Sequence, residues 1–411
     1  MARQVDPVRI LWLGNPPWLG SGYGQQAALF IPRLQAQGHE LAVACNYGLH
    51  DITLDWGGLT CFPADGVYGT RTMPTWAADY QADLVLALCD AWVLKPGEWP
   101  PGPPVALWAP VDHSSLPAMV RDVLAHDRIR PVAMSRFGER LMRAERLNPF
   151  YVPHGVDTQL FRPHPELRGK ARADLGVPED AFLVGMVAAN VGNPSAPRKA
   201  FNEAFAAAAE FAGRHRDAWF YCHSEGNPRP GAGGINLHKL AGRRGLPEGR
   251  IRIPTDETWH RGIPHGFVAY AYQAMDVLVH CSMGEGFGLA GLEAQACGVP
   301  VISSDHSAMT ELCGAGWLVD GQPWNDEAQE ADFTIPIVSS IVDRLEQAYT
   351  ERGNADLRTR AVEFAQAFDA DRVAETFWRP VLDELAGGAP ASVPPAGPNR
   401  AQRRANRKVA V

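Results

Sequence analysis

Two glutamates, Glu285 and Glu293, stand eight positions apart in the stretch MGEGFGLAGLEAQACGVPVISSD, residues 283–305. Between them Gly286, Phe287, Gly288 and Leu289 form a glycine turn that leads into a segment of helical composition. Glycines let consecutive backbone amides point one way, and the start of a helix adds its positive dipole end. Together they make a site for an anion such as a diphosphate. A carboxylate on either side can accept paired hydrogen bonds from vicinal hydroxyls, which suggests a ribose for one and a sugar for the other. A phosphate group between two diols describes a nucleotide sugar. Such a glutamate pair on its own is more often solvated surface. Its place between a strand, a glycine turn and a capped helix is what favours chemistry.

The elements around the pair follow from the same pattern. DVLVHCS, residues 276–282, reads as a strand; a helix is expected from about Leu289 to Cys297, closed by Gly298 with Pro300 just beyond. The loop then lies at the carboxyl end of a strand, where doubly wound sheets hold their ligands. This rhythm occurs twice along the chain. VRILWLG, ELAVAC, ADLVLALCD, PVALWAPVD, RPVAMS and FYVPHGVD form a first series, and FLVGMVAAN, AWFYCHS, RIRIP, DVLVHCS and VPVISSD a second. The runs are continuously apolar, as in parallel sheets covered by helices on both faces. The expected architecture is α/β, with two doubly wound parallel-sheet domains of Rossmann-like type facing a cleft. Domains are expected at residues 1–165 and 166–365, with a helix at 366–386 returning to the first domain. Residues 387–411, rich in Pro, Gly and Arg, read as a disordered basic tail.

A chain of 411 residues exceeds what one core usually organises. The net charge of −8 includes five basic and no acidic residues after Ala386, so the rest is five charges more acidic than the whole. An acidic body disfavours a broad nucleic-acid groove, and an anion must be held by local dipoles and a few placed cations. The basic tail is expected to be solvated, with contact to an anionic partner as the alternative. Seven scattered cysteines without a C-x-x-C pair fit reduced core thiols. No apolar run reaches the roughly 20 residues of a membrane helix, and the chain reads as cytoplasmic. The one Asp-x-Asp candidate, Asp369 and Asp371, is expected to cap a helix far from the diphosphate, more than sixty residues of helical sequence beyond the second sheet's last strand. No metal or other cofactor is expected.

At this point the run E-G-F-G-L-x-x-L-E-A-x-A-C-G-x-P-V resembles the E-x7-E signature of glycosyltransferase family 4, retaining enzymes of the GT-B fold. GSGYG after the first strand, VPHGVDTQLFRP at the domain junction, RKAFNEAF and AYQAMDVLVHCS occur in that family's order, over roughly residues 8 to 380. The resemblance implies that Glu293 holds the ribose and that Glu285 meets the transferred sugar. It further implies that Arg198 and Lys199 hold the diphosphate and stabilise the departing nucleotide. His113 matches a histidine that meets the donor sugar, with a surface histidine as the other reading and Asp112 as a neighbour with equal claim. The glycine loop containing Gly22 is read as facing the donor phosphate or the acceptor. His154, Gly155 and Asp157 resemble an interdomain turn, Glu311 a support of the donor pocket, and Trp18 a residue able to stack on a sugar.

The expected activity is retaining transfer of a sugar from a nucleotide-diphosphate sugar to an unidentified acceptor. A nucleotide-sugar epimerase of the same fold and a non-catalytic sugar-binding module are the alternatives. A nicotinamide oxidoreductase is disfavoured, because Gly20, Gly22 and Gly24 do not make G-x-G-x-x-G and no acid ends the second strand. The tail yields a first test: truncation after Gly388 is expected to leave the melting temperature unchanged, and a large drop would contradict the reading.

Overall fold

The computed structural model describes residues 7–387 except 67, 193–197, 229–232 and 328–329. The tail expected from 387 onward lies outside these residues from position 388. Two sheets organise the chain. The first holds β1 Arg9–Gly14, β2 Glu40–Cys45, β3 Leu54–Trp56, β4 Leu59–Phe62, β5 Leu84–Ala87, β6 Val105–Ala109, β7 Ile129–Ala133 and β8 Phe150–Tyr151. Their order is β3-β4-β2-β1-β5-β6-β7-β8, parallel except for β3 against β4. The second holds β9 Phe182–Val187, β10 Ala218–His223, β11 Ile251–Arg252, β12 Val277–His280, β13 Val301–Ser304 and β14 Gly316–Val319, all parallel in the order β11-β10-β9-β12-β13-β14.

The central strands are buried on both faces, which is why their sequences run apolar without alternation: all four residues of β5 and all five of β6 are buried. Strand order reverses beside β1 in the first sheet and beside β9 in the second. A crevice opens at such a point between diverging connections. Every expected strand is present. The edge pair β3 and β4, the strand β14 and an antiparallel hairpin, β15 Gly321–Asp326 with β16 Ala331–Pro336, were not expected. The helical stretch after the second sheet therefore begins with the helix Val338–Thr350. The more than sixty residues of helical sequence expected before Asp369 are corrected: β14, β15 and β16 occupy part of that interval.

The last helices return to the first sheet. Trp378 is fully buried, with its ring 4.9 Å from Trp108 and 6.4 Å from Phe30. Gln37 donates to the Ala374 carbonyl at 3.2 Å, and Arg33 pairs with Asp371 at 2.7 Å. Asp369 caps the helix Ala370–Val373 by accepting from the amides of Asp371 and Arg372, so the Asp-x-Asp pair is spent on a cap and a surface ion pair. All seven cysteines are free, and only Cys313 is partly exposed. Among the described residues no helix is long and apolar enough to cross a membrane.

Trp378 is where the chain end is anchored to the first domain's core. Trp378→Ala is expected to cost about 3 to 5 kcal/mol of stability. Urea denaturation followed by circular dichroism measures it, and an unchanged midpoint would show that the C-terminal helices are not held by this contact.

Candidate active site

The loop after β12 carries the first glutamate. Glu285 is 7% exposed, and a buried carboxylate needs charged partners. It has two. Lys199 Nζ makes a short contact with Oε1, and Arg198 Nη1 stands 3.1 Å from Oε2. Ser282 donates to Oε1 at 2.6 Å, and the Glu285 amide donates to Ser307 Oγ at 3.0 Å. Burial pushes the Glu285 carboxyl up, but Lys199 and Arg198 outweigh it and hold the group well below the usual carboxylate range. Burial pulls Lys199 below its ordinary value against the pull of Glu285; Arg198 is raised because Glu285 and Asp112 overcome its burial.

Two strained residues fix this cluster. Ala200, directly after the basic pair, has φ +50° at the start of the helix Phe201–Arg214, and Ser307 has φ +55°. Side chains rarely adopt this region, and strain of this kind gathers where surroundings over-determine the backbone. Arg198 also donates to the Gly284 carbonyl, and its own carbonyl accepts from Met283 at 2.7 Å.

The glycine turn behaves as its sequence predicts. The helix Leu289–Ala296 starts from Gly288 at φ +116° and has no side-chain cap on its first amides. A methyl on Gly288 would meet His280 Nε2 at 2.9 Å, and one on Gly286 would meet Pro110 at 2.4 Å, so only glycine fits either place. Gly22 stands across the cleft at the start of the helix Gly22–Ala36; a methyl there would be 3.3 Å from Leu289. The Phe287 side chain is 3% exposed and packs on His154 and Phe368, with centroids at 5.2 and 5.9 Å. It therefore belongs to the core between the domains, and only its backbone is left for a ligand.

Glu293 sits on the second turn of that helix, 7% exposed, and accepts from the Tyr272 hydroxyl at 3.3 Å. Burial raises its carboxyl to about 8, with Tyr272 opposing, so the group holds a proton at neutral pH. It lines a cavity of about 760 Å³ between the domains, together with Trp18, Gln25, His223, Trp259 and His265. Trp18, able to stack on a sugar by its sequence position, packs against Trp56 with the rings tilted by 35° and centroids 4.7 Å apart.

His113 is buried, which removes the surface reading. Its Nδ1 lies 2.9 Å from Asp112 Oδ1, its Nε2 3.6 Å from Asp326 Oδ2, and its ring stacks on Phe333 at 3.9 Å. Both outer partners come from the unexpected hairpin, which crosses the cleft; the Ser114 amide donates to the Asp332 carbonyl at 2.8 Å. Asp112 is also 3.6 Å from Arg198, and although burial raises its carboxyl, His113 and Arg198 bring it below the ordinary value. The structure thus joins His113, Asp112, Arg198, Lys199 and Glu285 in one chain of polar contacts across the two domains.

Other expected residues serve the junction. His154 packs on Trp108 at 4.3 Å and burial lowers its imidazole to about 3, which makes it a neutral packing group. Gln26 bonds both the amide and the carbonyl of Gly155 at 2.9 Å, and Asp157 accepts from the amides of Gln159 and Leu160. Glu311 accepts from the Arg136 amide at 2.7 Å, a tie between domains rather than a lining of the glycine turn. One residue went unnoticed. Asp90, in the loop after β5, has its carboxyl raised to about 6 by burial and by Asp112, and it acts electrostatically on Tyr23 and Arg198. An acid ending an apolar strand, LALCD, was the available signal.

Residues 189–334 match the model of a protein family described as glycosyl transferases group 1. A D-inositol 3-phosphate glycosyltransferase of Acidothermus cellulolyticus is 33% identical over 177 residues, 41% of this chain and 36% of that protein. A second, from Catenulispora acidiphila, is 28% identical over 243 residues, 55% of this chain and 52% of that protein. In these matches the chain spans about a third to a half of the relative's length. Sucrose-phosphate synthase from Thermosynechococcus elongatus has a similar structure, with TM-score 0.71, 18% identity, and 93% and 100% of the two chains covered. Anabaena HepE in complex with UDP-glucose gives TM-score 0.63 and 16% identity over 91% of this chain and 99% of that one. These glycosyltransferase neighbours share the GT-B architecture.

The Glu293 proton can be read in solution. The folded chain keeps it between the ordinary 4.5 and about 8, while the unfolded chain releases it, so stability contributed here falls as pH rises through that window. Glu293→Gln is expected to gain melting temperature over the wild type at pH 8.5 relative to pH 5, at about 2 to 4 °C per kcal/mol. Scanning calorimetry at both values tests this, and an equal difference at both would refute it.

Proposed function

We propose, from a chain whose residues 189–334 match the model of the glycosyl transferases of group 1, that this protein moves a sugar from a nucleotide-diphosphate sugar to an acceptor hydroxyl with retention of configuration. The observation that carries the reading is the convergence of Arg198 and Lys199 on Glu285 beside an uncapped helix N-terminus that faces Gly22 across the cleft. A diphosphate at residues 286–290 would meet amides and two cations whose positions Glu285 already fixes. Glu293, which lines the cavity, is the group this reading assigns to the ribose. HepE from Anabaena, with the same architecture, carries UDP-glucose, which makes that donor the first to try.

A carboxylate has about four acceptor sites. Lys199 and Ser282 occupy Oε1, and Arg198 reaches Oε2, which leaves Glu285 one site for a hydroxyl of the transferred sugar. In the transfer, the bond from the anomeric carbon to the phosphate oxygen breaks and the diphosphate leaves toward the amides and the basic pair. The acceptor hydroxyl adds from the same face and its proton passes to the leaving phosphate. The amides, Arg198 and Lys199 stabilise the charge as it develops. In this reading they replace a divalent metal.

Replacing Arg198 and Lys199 together by alanine is expected to slow nucleotide release from UDP-glucose by at least about 100-fold, with and without acceptor. The wild type is expected to keep its rate in excess EDTA. Normal release by the double variant would place the anion elsewhere. Loss of wild-type activity in EDTA with recovery in manganese would give the charge to a cation. Epimerised donor without transfer would favour the epimerase.

A further inference from the structure

The loops leaving the carboxyl ends of β2, β4 and β5 carry large aromatic side chains that no fold requirement explains. Tyr47 is 41% exposed, Tyr68 38% and Trp92 45%. Aromatic surface of this kind costs a soluble domain hydration and is kept where a partner covers it. The three are linked to one another and to the site. Tyr68 and Trp92 meet edge to face at 5.5 Å, and Gly69, next to Tyr68, donates to the carbonyl of Asn46, next to Tyr47. Asn15 Nδ2 donates to the Tyr47 hydroxyl at 2.9 Å and to Ser21 Oγ at 2.8 Å; Ser21 caps the helix whose Gly22 faces Leu289. Trp92 follows Asp90 by two residues, and Asp90 acts on Asp112 and Arg198. The aromatic rim is thus continuous with the acceptor side of the proposed reaction centre.

Charge selects among the ligands such a rim could take. The described residues of these loops contain Asp51, Asp65, Asp90 and Glu98 against Arg71 and Lys95. Both cations are engaged, Arg71 in contact with Asp65 and Lys95 at 3.8 Å from Glu98. Two single cations beside acidic neighbours do not make the cluster of Lys or Arg that a phosphate or an anionic lipid surface needs. Two buried amide oxygens at the strand ends, Asn15 Oδ1 and Asn46 Oδ1, have no hydrogen-bond partner among the described residues, and such an acceptor can take a hydroxyl.

We propose that Tyr47, Tyr68 and Trp92 form an acceptor platform that stacks on the apolar ring faces of a neutral glycan of several sugar units, with Asp90 accepting from a hydroxyl at its growing end. This rests on the transferase reading above and narrows its acceptor to an uncharged carbohydrate chain. Successive stacking on two or three rings makes affinity rise with chain length, which a single-sugar acceptor would not show.

The test is calorimetric titration of the full chain, without donor, with maltose, cellobiose and chitobiose and the corresponding hexasaccharides. Glucose 6-phosphate and phosphatidylglycerol vesicles serve as anionic probes. At least one hexasaccharide is expected to bind at least 10-fold tighter than its disaccharide, and Tyr68→Ala combined with Trp92→Ala to lose that gain with the melting temperature unchanged. Binding of the anionic probes alone, of none of the three neutral series, or of a hexasaccharide equally by wild type and double variant would overturn the proposal. A wild type that binds a hexasaccharide through these rings yet releases no nucleotide from any donor would sink the transferase reading and leave the platform standing.

Discussion

A carboxylate buried between two cations governs how the two halves of this protein can meet. Glu285 lies in a loop of the second domain, Arg198 and Lys199 just before the helix Phe201–Arg214, and Asp112 and His113 in the first domain. The Glu285 carboxylate, the most buried of the charged groups, depends on the two cations beside it, since a buried charge without a partner is costly. The electrostatic demand of one group therefore fixes the backbone of three segments, including the left-handed turns at Ala200 and Ser307. Without a ligand, the same carboxylate keeps the cations gathered where an anion would need them.

Apolar packing supplies the second constraint. The Phe287 ring is wedged between His154 and Phe368, and Trp108 continues the stack from His154 to Trp378. This line of rings runs from the glycine turn through the domain junction to the chain end. It sets where the turn's amides face, while the turn itself remains backbone and glycine. Glu293 takes the opposite course from Glu285: buried with a tyrosine hydroxyl and no cation, it keeps its proton. Two carboxyls of one motif are thus held in different protonation states by what surrounds them.

What the sequence disclosed follows from which signals are local. Strands buried on both faces leave continuous apolar runs, so β1, β2, β5 and β9 could be read directly, and Gly288 at a positive φ marked the helix start. The short strands β3 and β4 at the sheet edge are less apolar and carried no such mark; the same holds for β14 and the hairpin. Phe287 looked like part of a binding loop because position alone does not tell which way a ring turns. Nothing local to Asp326 or Phe333 announced that they would close over His113, more than two hundred positions earlier in the chain. The pairing arises only once both domains are folded.

That hairpin is unusual in how it is attached. All six register pairs join β15 to β16, so its ladder is complete in itself and the six-stranded sheet is ordered without it. A segment with a ladder of its own is a cassette: it can shift against the six-stranded sheet without disturbing that sheet's registers. What must stay is its grip on the cleft, where Asp326 and Phe333 meet His113 and the Asp332 carbonyl accepts from Ser114.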